Sequence, residues 1–287
     1  MVQIFFVSGA PKSGTTWLQR ILDSHPEVVC SGEGHFVEQF VRPLLKMKGD
    51  FNAKLAMDAE RVFEGKPYYE PLGDAEVAPL ARSLILHVMS KRAKGREPKA
   101  LGDKTPRYTH GLVSLAALFP KARFVNIVRH PYDVAVSMLH HAFRFGHEDA
   151  LTLGTQTHHT MVGNSSNAWF HAQNYVHEFR KANPGRLLQI RYEDLQAQGP
   201  EVMGKVFRFL SVSDKADLVE TALAESSFEK LSGRKAGEEN PRSFFRKGVV
   251  GDWKGRLDDE ALRIIDERCG NLMKREGFER ASATTES

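Results

Sequence analysis

The chain has 287 residues, 41% hydrophobic and 26% charged, with a net charge of +4 at pH 7 and two cysteines. That balance supplies a full apolar core and excludes a disordered polymer. The positive excess suits an anionic ligand but is too dispersed for nucleic acid, and no apolar run approaches the roughly 20 residues of a membrane span.

The opening run Val2-Gln3-Ile4-Phe5-Phe6-Val7 reads as a buried parallel strand. It starts so early that no charged leader is expected before it, and the few cysteines suit a reducing compartment, so a cytoplasmic protein is expected. A turn over residues 8–13 leads into a helix over 14–23 with Trp17, Leu18, Ile21 and Leu22 on one face. Ser24-His25-Pro26 ends it, because a residue before proline is driven out of the helical region. Residues 36–96 read as mostly helical and irregular, and the basic run of 91–99 as a solvated helix end or loop. Leu101-Gly102-Asp103-Lys104 resembles a strand end, and Thr109 can cap a helix that Pro120 closes.

Residues 123–129 form a second clear strand, and Pro131 and Asp133 suit the first turn of the helix after it. Residues 186–191 read as a third strand and 200–210 as a helix. Asp258 caps the last helix, and Ala261, Leu262, Ile265, Cys269, Leu272 and Met273 form its apolar stripe before Gly277. Strands alternating with helices predict one α/β domain over 1–280, a central parallel sheet flanked by helices, with a disordered tail at 281–287. The pairs His140-His141 and His158-His159 lack carboxylate or cysteine company at metal-ligand spacing, and no metal is expected.

The stretch VSGAPKSGTTW, residues 7–17, carries the first chemistry. A turn feeding a helix N-terminus exposes unpaired N–H groups beside a positive dipole end and holds phosphate. Gly14 lets the backbone approach a ligand, Ser13, Thr15 and Thr16 add hydroxyls, and Lys12 adds a charge. The lysine precedes the glycine, unlike the G-x-x-x-x-G-K-[ST] pattern of kinases and NTPases, and no magnesium-binding Asp follows an apolar strand. Both facts weigh against that class, which stays the main alternative. Arg129, at the end of the second strand, and Ser137, on the next helix, can offer a guanidinium and a hydroxyl to a second phosphate at the same crevice.

Three segments, PKSGTTW, FVNIVRHPYDVAVS and RKGVVGDWK, resemble in order and spacing the signature segments of sulfotransferases that use 3′-phosphoadenosine 5′-phosphosulfate (PAPS). The resemblance implies a P-loop-like nucleotide-binding fold and a product, adenosine 3′,5′-bisphosphate (PAP), released without a metal. It places Lys12, Ser13, Gly14, Thr15 and Thr16 at the phosphosulfate and Trp17 near the adenine. It places Arg129 and Ser137 at the 3′-phosphate, Tyr192 against the nucleotide, Ser226 and Phe228 near the base, and Arg246, Lys247 and Gly248 as a clamp on the 3′-phosphate.

The family reaction is in-line sulfuryl transfer to an acceptor oxygen or nitrogen, with Lys12 supporting charge on the bridging oxygen. Many small-molecule sulfotransferases, the cytosolic type that the motifs resemble most, place a histidine base just after Lys-Thr. Here the stretch is Gly102-Asp103-Lys104-Thr105-Pro106 and proline takes that place, which resembles carbohydrate sulfotransferases. Asp103 is therefore the expected base, Lys104 its neighbour orienting donor or acceptor, with His35 and His140 as fallbacks. Residues 34–98 and 141–170, with aromatics such as Phe36, Tyr68 and Trp169, are expected to build the pocket for a small-molecule, lipid or carbohydrate acceptor. A PAP-binding protein without transferase activity is a second alternative. The sequence has no match to the family's short dimer motif and leaves the oligomeric state open.

Overall fold

Alternating side-chain direction along the first strand sets the layers. Phe5 and Val7 turn to one face and Phe6 to the other, and all three are fully buried, as a strand covered on both sides requires. The computed structural model describes residues 2–281 except 241, 242 and 244. Among them the sheet has five strands, β1 (Gln3–Ser8), β2 (Val28–Gly32), β3 (Ala100–Lys104), β4 (Arg123–Val128) and β5 (Leu187–Arg191). All pairings are parallel, in the order β2-β3-β1-β4-β5.

The α-helices are α1 (Thr15–Ser24), α2 (Arg42–Arg61), α3 (Asp74–Lys91), α4 (Leu112–Leu118), α5 (Pro131–Arg144), α6 (Gln156–Ala182), α7 (Tyr192–Ala197), α8 (Gly199–Phe209), α9 (Ala216–Glu225), α10 (Phe228–Ser232) and α11 (Asp259–Arg275). Leu18, Ile21 and Leu22 of α1 join Met203, Val206 and Phe207 of α8 and Ala222 of α9 against Phe5 and Val7. The opposite face packs Ile85 of α3, Leu115 of α4 and Phe179 of α6 against Phe6 and Phe124. A third cluster joins α5, α6 and α11 beside Val128, with Trp169 and Ile265 at its centre. The expected layered α/β architecture is therefore present.

The structure differs from the sequence reading in several places. Residues 28–32 form the edge strand β2, where only Val28, Val29 and Cys30 are buried. Thr109 does not cap a helix: residues Pro106–His110 form a 3-10 turn, its hydroxyl meets His110 Nδ1 at 3.1 Å, and α4 starts after Gly111. The α6 helix runs for 27 residues through a segment expected to line a pocket, and its Trp169 is fully buried core. Asp258 caps α11 as expected, accepting from Ala261 N at 2.8 Å. Ala281 is tied to the fold by its N–H, 3.0 Å from Tyr132 Oη; the rest of the expected disordered tail, 282–287, lies outside the described residues.

Candidate active site

Parallel strands deliver their following loops to one edge of the sheet, and the candidate residues come from those loops. After β1 the chain turns through residues 9–14 into α1. Ser13 N donates to the Ala10 carbonyl at 3.1 Å, and Gly14, the N-cap, sits at φ 96°. A side chain at Gly14 is doubly forbidden, since a Cβ would fall 2.6 Å from the Tyr192 ring. Lys12 also adopts a left-handed backbone, φ 72°, a strain of about 1–3 kcal/mol that surrounding structure must impose. The Ser13 hydroxyl is fully buried with no partner among the described residues. Burial, and then the Arg144 guanidinium, push the Lys12 ammonium down to about 8.

A second set of groups stands beside Lys12. Lys104, at the end of β3, is buried and donates to Thr16 Oγ1 at 3.1 Å and to the Glu33 carboxylate. Glu33 follows β2, and its other oxygen lies 3.2 Å from His35 Nε2. Both residues have left-handed backbones, φ 62° and 47°. The Glu33 side chain is 49% exposed, whereas Asp103 is 1% exposed. Asp103 Oδ1 accepts from Tyr108 Oη at 2.6 Å, Thr105 Oγ1 at 3.2 Å and Gly34 N at 3.2 Å. Burial raises the Asp103 carboxyl above the ordinary range against those donors, and burial together with the Asp103 charge raises the Tyr108 hydroxyl. Asp103 thus ties the turn after β2 to the turn after β3, while the Glu33 carboxylate stays exposed.

The Arg129 guanidinium lies beyond β4, the neighbour of β1. It stacks 4.3 Å from the centre of the Tyr192 ring, donates to the Val249 carbonyl at 3.1 Å and lies 3.7 Å from Asp133. Its Nε is buried without a partner among the described residues. Trp17 meets the edge of Tyr192 at 5.4 Å and donates to the Ser226 carbonyl at 2.9 Å. Phe228 packs under Gly248, φ 69°, where a Cβ would fall 2.5 Å from the ring. Asp133 accepts from Gly251 N at 2.8 Å and Trp253 N at 3.2 Å, so the α5 face carrying Asp133 meets the start of the turn before α11, and Ser137 lies one helical turn further along that face.

Arg246 pairs with Glu239 at 2.7 Å and with Asp252, and Lys247 reaches Asp252 at 2.6 Å. His140 belongs to this network: its Nε2 is 3.3 Å from Arg256 Nη1 and 3.6 Å from Glu239. Burial, and then the Arg246 guanidinium, lower its imidazole to about 4, and its partners tie it to the Arg246 network. Of the expected pocket aromatics, Phe36 is core like Trp169, and Tyr68 is 76% exposed. The sequence reading missed Glu33, whose signal was its place in Ser31-Gly32-Glu33-Gly34-His35, a polar glycine-bounded turn after a short apolar run. Among the described residues no cluster of three or more His, Cys, Asp or Glu could hold a metal, and no helix is long and apolar enough to cross a membrane.

The parallel sheet and the loop that joins β1 to α1 define an α/β protein with a P-loop-like fold. The family model described as the sulfotransferase family matches residues 4–216, and the chain belongs to that family. It is 26% identical over 283 residues to a flavonol sulfotransferase-like protein of Flaveria bidentis, covering 91% of this chain and 79% of the relative. It is 24% identical to cytosolic sulfotransferase 12 of Arabidopsis thaliana, covering 95% and 78%. The solved structure of mouse sulfotransferase SULT7A1 complexed with PAP superposes with a TM-score of 0.58 at 19% identity, over 95% of this chain and 84% of that one. The sulfotransferase domain of the curacin biosynthetic pathway also gives 0.58, at 20% identity, over 98% and 99%. Family membership assigns the chain sulfuryl transfer; the kinase or NTPase alternative is not favoured.

Proposed function

We propose that the protein is a PAPS-dependent sulfotransferase acting on a hydroxyl or amine of a small-molecule, lipid or carbohydrate acceptor. The observation that carries this reading is that two buried donors, Ser13 Oγ and Arg129 Nε, have no partner among the described residues and sit on loops that leave the adjacent strands β1 and β4. Two anion-ready sites along one crevice suit a nucleotide phosphorylated at two places. Lys12, Ser13, Gly14, Thr15 and Thr16 hold the phosphosulfate end. Arg129, Ser137, Arg246, Lys247 and Gly248 hold the 3′-phosphate, and Trp17, Tyr192, Ser226 and Phe228 frame the base. A relative named as a cytosolic sulfotransferase supports a cytoplasmic location.

In this reading Glu33 takes the acceptor proton as the acceptor oxygen attacks sulfur. Lys12 carries the negative charge left on the phosphate oxygen as the bridging S–O bond breaks. Lys104 orients Glu33 and Thr16, and Asp103, the base expected from sequence, holds the loops in register. A thermal-shift series with PAP, ATP and adenosine 5′-phosphate (AMP), with and without magnesium, tests the donor. PAP should stabilise the protein most, without magnesium, and Arg129→Ala should weaken PAP by roughly 10–100-fold while leaving AMP nearly unchanged. Magnesium-dependent stabilisation by ATP above PAP, or equal losses for PAP and AMP, would overturn the assignment.

A further inference from the structure

The segment between α10 and α11, which carries Arg246, Lys247 and Gly248, has no helix or strand among its described residues. Its backbone is nonetheless held at every step from 245 to 249. The Phe245 carbonyl accepts from Arg234 Nη2. The Arg246 carbonyl accepts from Arg234 Nη1 at 2.9 Å and from Asn240 N at 3.1 Å. The Lys247 carbonyl accepts from Gly237 N at 2.9 Å, that of Gly248 from Gln196 Nε2 at 2.6 Å, and that of Val249 from Arg129 Nη2 at 3.1 Å. In contrast, the N–H groups of Arg246, Lys247, Gly248 and Val249 have no acceptor among the described residues. This stretch therefore has its acceptors used and its donors open, the polarity an anion needs.

A trans peptide points its C=O and its N–H in opposite directions. Whatever holds the carbonyls of Phe245 and Arg246 therefore aims the N–H groups of Arg246 and Lys247 the other way. Arg234 does this with one planar fork. Its Nη1 also donates to the Glu238 carbonyl at 2.6 Å, and its guanidinium stacks 5.5 Å from the Phe228 ring. These bonds go to backbone oxygens, so the contribution of Arg234 is geometric and a lysine, with a single ammonium, cannot reproduce it.

We propose that Arg234 is a positioning residue for the 3′-phosphate clamp: without touching the nucleotide, it sets the peptide planes from which the clamp offers its N–H groups. The proposal rests on the assignment of Arg246, Lys247 and Gly248 to the 3′-phosphate. Titration calorimetry with PAP and with AMP, on the whole protein and on Arg234→Lys, Arg234→Ala and Lys247→Ala, tests it. Both Arg234 variants should weaken PAP by about tenfold, the scale of one or two charge-assisted hydrogen bonds, and AMP by less than about twofold. Turnover at saturating PAPS should stay near wild type while KM for PAPS rises. Full PAP affinity in Arg234→Lys, or parallel losses for PAP and AMP with a lowered Tm, would reduce Arg234 to a charge or a structural prop and overturn the proposal. If Lys247→Ala loses the preference for PAP while the Arg234 variants keep it, the clamp stands and the proposal alone falls. If Lys247→Ala also keeps the preference, the clamp assignment fails and takes the proposal with it.

Discussion

The loop after β1 and the segment between α10 and α11 take the two anionic ends of the donor in the proposed function, and they are held in different ways. The first is fixed by regular structure: a strand runs in, a helix runs out, and Gly14 joins them under the Tyr192 ring. Its donors are backbone and hydroxyl groups at a helix start. The second has no helix or strand among its described residues and is held largely by side chains, Arg234 on its carbonyls and Asp252 and Glu239 on its cations. A rigid cradle suits the end where a bond breaks, because charge stabilisation there depends on preorganised donors. A strap held largely by side chains suits the end where the ligand is only gripped, because its donors need no alignment with a breaking bond.

The contrast is broken most directly at Lys12. If the cradle serves chemistry, Lys12→Ala should lower kcat by about 10²–10³-fold, the scale of losing one preorganised charge at the leaving oxygen. PAP affinity should fall by much less. Equal losses in kcat and in PAP affinity would make Lys12 a gripping residue like those of the strap.

The two carboxylates beside Lys104 sharpen the comparison next. Glu33→Gln should lower kcat by roughly 10²-fold or more, as loss of a general base does, with PAP affinity retained. Asp103→Asn should act through folding, because Oδ1 accepts three hydrogen bonds in a buried place. Its cost should be about 1–3 kcal/mol of stability, seen as a lower Tm, with turnover of the folded fraction largely kept. The reverse pattern, a stable but inactive Asp103→Asn and an active Glu33→Gln, would return the base to Asp103.

The rigid cradle was legible in the sequence and the strap only in part, for a physical reason. A short continuous apolar run, a glycine turn and an amphipathic helix leave clear marks, so β1, the 9–14 turn, α1 and the β4–α5 junction all stand out. Asp258 and its acidic turn mark α11 equally well. By contrast β2 is short, with three buried residues in five, and leaves too little pattern. The α6 helix is rich in His, Asn, Ser and Thr and gains its length from packing against α5 and α11. The partners of Arg234 are carbonyls, which every residue has, so no sequence pattern announces them. Asp103 against Glu33 turned on burial alone: both are carboxylates beside glycines, and only the packing of Tyr108, Thr105 and Gly34 assigns one to the interior.

The smallest expected effect is a pH dependence confined to the cradle. Lys12 is held down to about 8 by burial first and then by Arg144, so in the free protein its charge is full at pH 6 and drains away as pH rises through 8. At pH 9 only about one part in ten remains cationic. The donor selects the charged form, and its own negative charge raises the lysine once bound. Hence kcat/KM for PAPS should fall by up to roughly tenfold between pH 7 and 9, while kcat at saturating donor changes less. Lys12→Arg, which keeps its charge throughout, should flatten the profile even if its rate is lower. The strap cations are arginines and a lysine paired with Asp252, whose own carboxyl is lowered by Lys247 and Arg246, so PAP binding to a Lys12→Ala variant should lose the alkaline limb. A limb that persists in that variant would place the titrating group in the strap and reverse the division drawn between the two regions.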